Sequence, residues 1–65
     1  MKVEYFQGTD TVLLTFSERE IVDTHDLNEN VLAELDADGG VVSITVEHAK
    51  EQMNVGEFTY QLKVA

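Results

Sequence analysis

The chain has 65 residues, no cysteine, and a formal net charge of -9 that arises from 13 Asp and Glu against four Lys and Arg. This length predicts a single domain over residues 1–65, and a domain of this size buries only about 60% of the surface that its unfolded chain exposes. So few cations disfavour binding to nucleic acid or to an anionic membrane surface, and no apolar run has the roughly 20 residues of a membrane span. Without a disulfide or an obvious metal site, oligomerisation is the remaining way to stabilise so small a scaffold.

Composition also indicates a compartment and a kind of partner. The first ten residues, MKVEYFQGTD, lack the apolar core of a signal peptide. The absence of cysteine fits a reducing environment, so we expect the protein in the cytoplasm. An acidic surface favours a basic protein partner, because complementary charges steer association.

Short strands are predicted in the first 27 residues. Residues 3–6 are a first strand, and the turn at residues 7–10 leads into a second strand at residues 11–16, where polar and apolar side chains largely alternate. A third strand is predicted at residues 21–27. Both of its faces carry polar residues, so we expect it near the edge of a sheet.

Residues 31–46, VLAELDADGGVVSITV, are the clearest structural signal in the chain. Two apolar-rich runs flank the acids and glycines of a tight turn, which is typical of a β-hairpin. A slip of one residue in strand pairing would expose the apolar row, so the pattern also holds the register. The predicted core of the sheet consists of Val12, Leu14, Phe16, Val42, Ile44 and Val46.

The last third of the chain predicts a helix and a further strand. Residues 47–53, EHAKEQM, are good helix formers with Ala49 and Met53 on one helical face. Residues 57–65 alternate cleanly, which predicts a C-terminal strand with four apolar side chains on one side: Phe58, Tyr60, Leu62 and Val64. The expected fold is therefore mostly β (α+β), a small antiparallel sheet of four to five strands built from hairpins with one short helix.

Three blocks follow one another along the chain: DTVLLTFS at residues 10–17, VDTHDL at residues 22–27 and VLAELDADGGVVSITVEHA at residues 31–49. This ordered series resembles the family called domain of unknown function 2283, short prokaryotic proteins that usually stand alone. The resemblance covers about residues 3–50. It implies a compact antiparallel sheet with a short helix and assigns no activity or catalytic residue. Some members are encoded beside small toxin-like proteins, so the resemblance also implies an antitoxin role as one alternative.

Two groups of residues invite a metal or acid–base interpretation. Asp36, Asp38 and Glu47 have the spacing of a calcium loop, but a strand lies between them, so we interpret the acids as turn residues. His25 shares a strand face with Asp23 and lies next to Asp26, which makes a metal-binding or acid–base pair geometrically possible. We interpret His25, and likewise His48 on the predicted helix, as solvated, and we expect no catalytic, cofactor-binding or metal-binding residue.

These patterns predict a non-enzymatic protein–protein interaction module that self-associates, with a dimer favoured. The C-terminal strand is expected to fray or aggregate unless its apolar side is covered, which places its four apolar side chains at or next to the subunit interface. Two alternatives stay open. One is an antitoxin-like partner that neutralises a small basic toxin, and the other is a small metal-binding protein or enzyme that uses His25 with Asp23 or Asp26.

Overall fold

The computed structural model describes all of residues 1–65 and shows one antiparallel sheet with the strand order β1-β2-β5-β4-β3. A mostly β fold and the hairpin at residues 31–46 are thereby confirmed, as is the position of the third strand at an edge. The only other regular element is a single turn of 3₁₀ helix, Ala49–Glu51. The strands are β1 (Lys2–Phe6), β2 (Thr11–Thr15), β3 (Asp23–Asp26), β4 (Val31–Leu35) and β5 (Val41–Glu47).

The sheet consists of two local units that meet at its centre. Strands β1 and β2 form one hairpin, β3, β4 and β5 form a meander, and the pairing of β2 with β5 joins them. The connection from β2 to β3 crosses the ends of β5 and β4, where the Phe16 amide donates to the Val42 carbonyl at 2.8 Å and the Val22 amide donates to the Leu35 carbonyl at 2.9 Å.

One face of the sheet carries the core. Val12 and Val46 face each other across β2 and β5, and both are buried. Ala49 from the 3₁₀ turn is completely buried against this pair, and Val55 packs beside it. The cover is small, because only six of 65 residues are buried: Val12, Ala33, Val42, Ser43, Val46 and Ala49.

The opposite face holds a polar network at the sheet centre. The Ser43 and Thr45 hydroxyl groups each donate to a different carboxylate oxygen of Glu34 at 3.0 Å. Cross-strand pairing explains the contact, since Glu34 lies directly opposite Ser43. Every buried side-chain polar atom has a hydrogen-bond partner, so this face avoids the cost of an unsatisfied buried group.

The predicted helix at residues 47–53 is wrong. Glu47 ends β5, and only the three residues of the 3₁₀ turn are helical. His48 lies between them with a φ of 53°, in the left-handed region, so an α-helix cannot continue through it. A helix of about two turns has little stability of its own, and hydrogen bonds from this corner to Asp10 and Asn30, far away along the chain, outweigh helix propensity.

The predicted C-terminal strand is also wrong, because residues 57–65 have no regular secondary structure. The last backbone hydrogen bond within the chain is donated by the Glu57 amide to the Asn54 carbonyl at 3.3 Å. A strand exists only where its amides and carbonyls pair with a neighbour, and neither edge of the sheet pairs with this segment in the single chain. Alternating side chains alone do not supply that neighbour.

The predicted core is correct at its centre and wrong at one end. Val12, Val42 and Val46 are buried, and Leu14 and Ile44 are half-buried against them. Phe16 lies one residue beyond the end of β2 and is 41% exposed. There the chain leaves the sheet for the crossover connection, so the alternation that marks Phe16 as a core residue no longer applies.

Replacing Val46 by Ala is expected to lower the free energy of unfolding by about 2 kcal/mol, since it deletes buried methyl groups from the centre of the core. Val41→Ala in the same strand is the matched control, because Val41 is 45% exposed, and it should cost roughly 0.5 kcal/mol or less. Urea unfolding followed by circular dichroism measures both. Equal losses for the two variants would contradict the position of the core.

Candidate functional site

The C-terminal segment carries the most exposed apolar surface of the chain. We call residues 57–65 the tail. Leu62 is 87% exposed and Val64 is fully exposed, while Phe58 and Tyr60 are each well over half exposed. These are the four side chains that the sequence predicts at a subunit interface, and the single chain leaves all of them uncovered. Their place in an interface stays a prediction.

Two turns fix the point from which the tail departs. At the end of β5 the Glu47 amide donates to the Asn30 carbonyl at 2.7 Å, and Nδ1 of His48 lies 2.9 Å from Oδ1 of Asn30. Asn30 belongs to the turn between β3 and β4, and its neighbour Asn28 caps that turn by accepting from the Val31 amide at 2.9 Å. The left-handed His48 thus starts the reversal that folds the chain back over the sheet.

Asp10, in the turn between β1 and β2, holds the other side of this reversal. Its carbonyl accepts from the Ala49 amide at 2.9 Å, and its carboxylate accepts from the Lys50 amide at 3.2 Å and from the Tyr5 hydroxyl at 2.8 Å. Asp10 has a φ of 53°, which an aspartate tolerates better than most residues. One residue therefore anchors both the hairpin and the segment that covers the core.

The contact with Asp10 alters the ionisation of Tyr5. The hydrogen bond that the Tyr5 hydroxyl donates to Asp10 raises the pKa of Tyr5 above its usual value, and partial burial and the nearby negative charge act in the same direction. All three effects disfavour a tyrosinate, so the tyrosine stays a donor at neutral pH. Tyr5 is a structural donor in this arrangement.

The Asp36 carboxylate organises the turn between β4 and β5. Its Oδ1 accepts from the Asp38 amide at 2.9 Å and from the Gly40 amide at 2.8 Å. A Cβ at Gly40 would lie 2.9 Å from Oδ2 of Asp36, so a larger residue there would push the carboxylate away from its present position. Arg19 of the crossover connection adds an ion pair, with Nη1 at 3.3 Å from Oδ2 of Asp36.

These contacts confirm the interpretation of Asp36 and Asp38 as turn residues. Donation from the Gly40 amide is the largest of the effects that lower the pKa of Asp36, and the Asp38 amide and Arg19 add to it. Glu47, the twelfth position of the calcium-loop alternative, lies at the far end of seven-residue β5, a distance of roughly 20 Å along the strand. The three carboxylates therefore do not share one site.

The two histidines have separate partners. Nε2 of His25 lies 3.3 Å from Oδ2 of Asp23 on the exposed edge strand β3, whereas His48 contacts Asn30. Asp26 makes no side-chain contact with His25 among the hydrogen bonds and ion pairs of the chain. No group of three or more His, Cys, Asp and Glu side chains is arranged to hold a metal ion.

Sequence reasoning missed the residues that hold the structure at its corners. Asp10 was recognisable only as a turn residue, and Asn30 likewise. The signal for Asp10 was the combination of a Gly-containing turn with an aspartate that tolerates positive φ, five residues after a tyrosine. Glu34 could be matched to Ser43 and Thr45 only once the hairpin register was known.

The class of protein follows from these features: a small acidic β protein with one partly covered antiparallel sheet and an unpaired apolar tail. The chain belongs to the family described as Protein of unknown function (DUF2283), whose sequence profile matches residues 2–50. The match ends within the 3₁₀ turn, so the tail lies outside it. Neither a curated protein nor a solved structure matches the chain. The structure contains no helix that could span a membrane.

Asp36→Asn should make stability less sensitive to acid. The pKa of Asp36 is lower in the folded chain than in the unfolded chain, so its carboxylate stabilises the fold above the unfolded pKa of about 3.9 and this contribution is lost as the pH falls through the folded pKa. The parent should exceed the variant in melting temperature at pH 7, and the difference should close below about pH 4. Asp38→Asn is the control for the loss of one charge, because the Asp38 side chain is 86% exposed and also lies 3.5 Å from Nη1 of Arg19. It should lower the melting temperature at pH 7 by less than Asp36→Asn does, because the turn amides donate to Asp36 and not to Asp38.

The ionisation of Tyr5 should depend on Asp10. In a Tyr60→Phe background Tyr5 is the only tyrosine, so ultraviolet absorbance reports its titration alone. Asp10→Asn removes the charge and weakens acceptance of the hydroxyl proton, so the titration should move to lower pH. Asp23→Asn removes an equal charge on the far edge strand and should leave it in place. An identical curve for the Asp10 variant would refute the contact.

Proposed function

We propose that this chain is a non-enzymatic protein–protein interaction module that self-associates, as a homodimer in its simplest form, with the tail at or next to the subunit interface. The cytoplasm is the proposed compartment, which the absence of cysteine supports. The observation that carries the proposal is the surface that the single chain leaves exposed.

The accessible surface of the chain is larger than its mass predicts. It amounts to 5093 Å² for 7.3 kDa. Folded monomers of this mass expose about 4,200 Å², so the excess is roughly 900 Å². A standard protein–protein interface buries about 800 Å² on each partner. The excess is thus of the size that one interface would remove from each chain.

Every residue of the tail is exposed, and its backbone is unpaired as well. No backbone hydrogen bond within the chain involves residues 58–65. Contiguous exposed apolar surface of this kind is typical of interaction sites. A partner that covered the tail would both bury its apolar row and pair its amides and carbonyls.

A basic protein is the second candidate partner, and the β3 edge supports it. All four residues of β3 are exposed, and two of them, Asp23 and Asp26, are acids. Glu18 and Glu20 of the preceding connection are exposed too. An antitoxin-like role would use this acidic edge to steer a cationic partner to the protein.

Sedimentation equilibrium of the full chain and of a form that ends at Gly56 tests self-association. The full chain should sediment as a dimer at micromolar concentration, and the truncated form should be a monomer, because it lacks the tail. Circular dichroism of the truncated form checks that the sheet remains, as the family match within residues 2–50 leads us to expect.

Leu62→Ser and Gln61→Ser form a matched pair of substitutions within the tail. Leu62→Ser should weaken the dimer about tenfold or more because it removes a large apolar contact, whereas Gln61→Ser should change its dissociation constant by less. A full chain that stays monomeric at high micromolar concentration overturns self-association. A dimer that survives truncation at Gly56 keeps self-association and removes the tail from its interface.

A further inference from the structure

The geometry points to the surface that binds the tail: we propose that the tail of one copy pairs as an edge strand with β1 of a second copy, with Lys63 beside Glu4. This inference rests on the proposed self-association and names the two surfaces that meet. It turns the irregular tail of the single chain into a sixth strand of the partner's sheet.

Strand β1 presents an edge that can accept a strand. It pairs with β2 on one side only, so its outward amides and carbonyls have no strand partner. Val3 and Tyr5 lie on the core face, opposite Leu14 and Val12 of β2. Val3 is 38% exposed, so the apolar face continues to the very edge of the sheet and stops there without a neighbour.

The alternation of the tail matches that of β1. When Lys63 lies beside Glu4, Leu62 and Val64 fall beside Val3 and Tyr5, because residues two apart share a face. This holds whether the added strand runs parallel or antiparallel to β1. Leu62 and Val64 then extend the apolar face of the sheet by one strand, whereas Phe58 and Tyr60 lie beyond the end of five-residue β1.

Charge agrees with this alignment. Glu4 has one cation nearby, Lys2, with Nζ at 3.9 Å from Oε1, and the Glu4 side chain is 38% exposed. Lys63 is exposed and has no ion pair within its own chain. Directly opposite residues on neighbouring strands are close enough for an opposite-charge pair, so Lys63 can share Glu4 with Lys2.

The other free edge fits the tail less well. Strand β3 reads Asp23-Thr24-His25-Asp26, and none of its side chains is apolar. Whichever face the apolar row of the tail took there, it would lie beside charged or polar groups. Lys63 would gain an ion pair with an aspartate of β3 there. Exposed ion pairs, however, contribute little binding free energy compared with the burial of an apolar row.

Two-fold symmetry allows both tails to dock at once, each on the β1 edge of the other chain. Such an exchange covers residues 61–65 of both tails and both β1 edges in one interface, so each chain loses exposed surface through the same contact. It also covers the edge most exposed to uncontrolled strand addition.

Disulfide trapping tests the pairing, and the chain suits it because it has no cysteine of its own. Glu4→Cys and Lys63→Cys are made as separate chains, one of them isotope-labelled, and mixed under a mild oxidant. Neighbouring strands bring opposite Cα atoms to the separation that a disulfide needs. The mixed dimer, identified by intact mass, should form roughly tenfold or more faster than the mixed dimer from Thr24→Cys and Lys63→Cys, because docking raises the local thiol concentration.

A second set of cysteine sites shows whether the added strand runs parallel or antiparallel to β1. It also gives an independent test if Glu4→Cys folds poorly. Lys2→Cys should trap Ala65→Cys if the added strand is antiparallel, and Gln61→Cys if it is parallel. Circular dichroism of each single variant verifies the sheet before mixing. Trapping at either second site supports the proposal even where Glu4→Cys is destabilised.

The outcomes separate this inference from the proposed function. If the parent is a dimer and neither the Glu4 nor the Lys2 variant traps the tail faster than Thr24→Cys does, the pairing of the tail with β1 is overturned and self-association stands. If the parent is a monomer, both fall. If a chain with both Glu4→Cys and Lys63→Cys closes only within itself, the tail completes its own sheet and the exchange between copies is overturned.

Discussion

The structure depends on covering one face of a five-stranded sheet with very little chain. The segment after β5 provides the cover, and Ala49 is its only fully buried residue. Small residues contribute little burial energy, so the cover relies on being held in place by hydrogen bonds. Asp10 from one hairpin and Asn30 from the meander provide them, one on each side of His48.

Because so little chain covers the sheet, most residues stay at the surface. Burial of six residues leaves the domain with a small apolar core, as expected for a chain this short without disulfides. The proposed dimer would have to overcome the repulsion between two chains of charge -9. The tail is suited to that, because it carries one acid and one base, Glu57 and Lys63, and repulsion from the remaining acids is screened over about 8 Å at physiological salt.

The elements that sequence predicts well are those whose pattern and pairing are local. The hairpin at residues 31–46 combines apolar runs with a turn whose chemistry is unambiguous, and the structure has it within a residue or two. Residues 47–53 differ because helix propensity competes there with contacts to Asp10 and Asn30, which lie far away along the chain. Such long-range hydrogen bonds leave no local pattern in the sequence.

The tail illustrates a different limit. Its alternation is a genuine strand pattern, yet a strand needs a neighbour, and pairing is a property of the whole assembly. For the candidate site, the four exposed apolar residues were recognisable from alternation alone. The edges available to them in the proposed pairing depend on the strand order, since β1 and β3 become the two edges only because β5 inserts between β2 and β4. That insertion has no signature in the sequence.

The strand order also bears on how the chain folds. The β1–β2 hairpin and the β3–β4–β5 meander each pair neighbouring parts of the chain, whereas their joining pairs Thr11 with Glu47 across most of the sheet-forming chain. Closing that long loop costs entropy before any core contact between Val12 and Val46 repays it. The central seam of the sheet is therefore the pairing with the largest entropic cost, and we expect its formation to limit the folding rate. During synthesis, β2 remains an unpaired edge until β5 has left the ribosome.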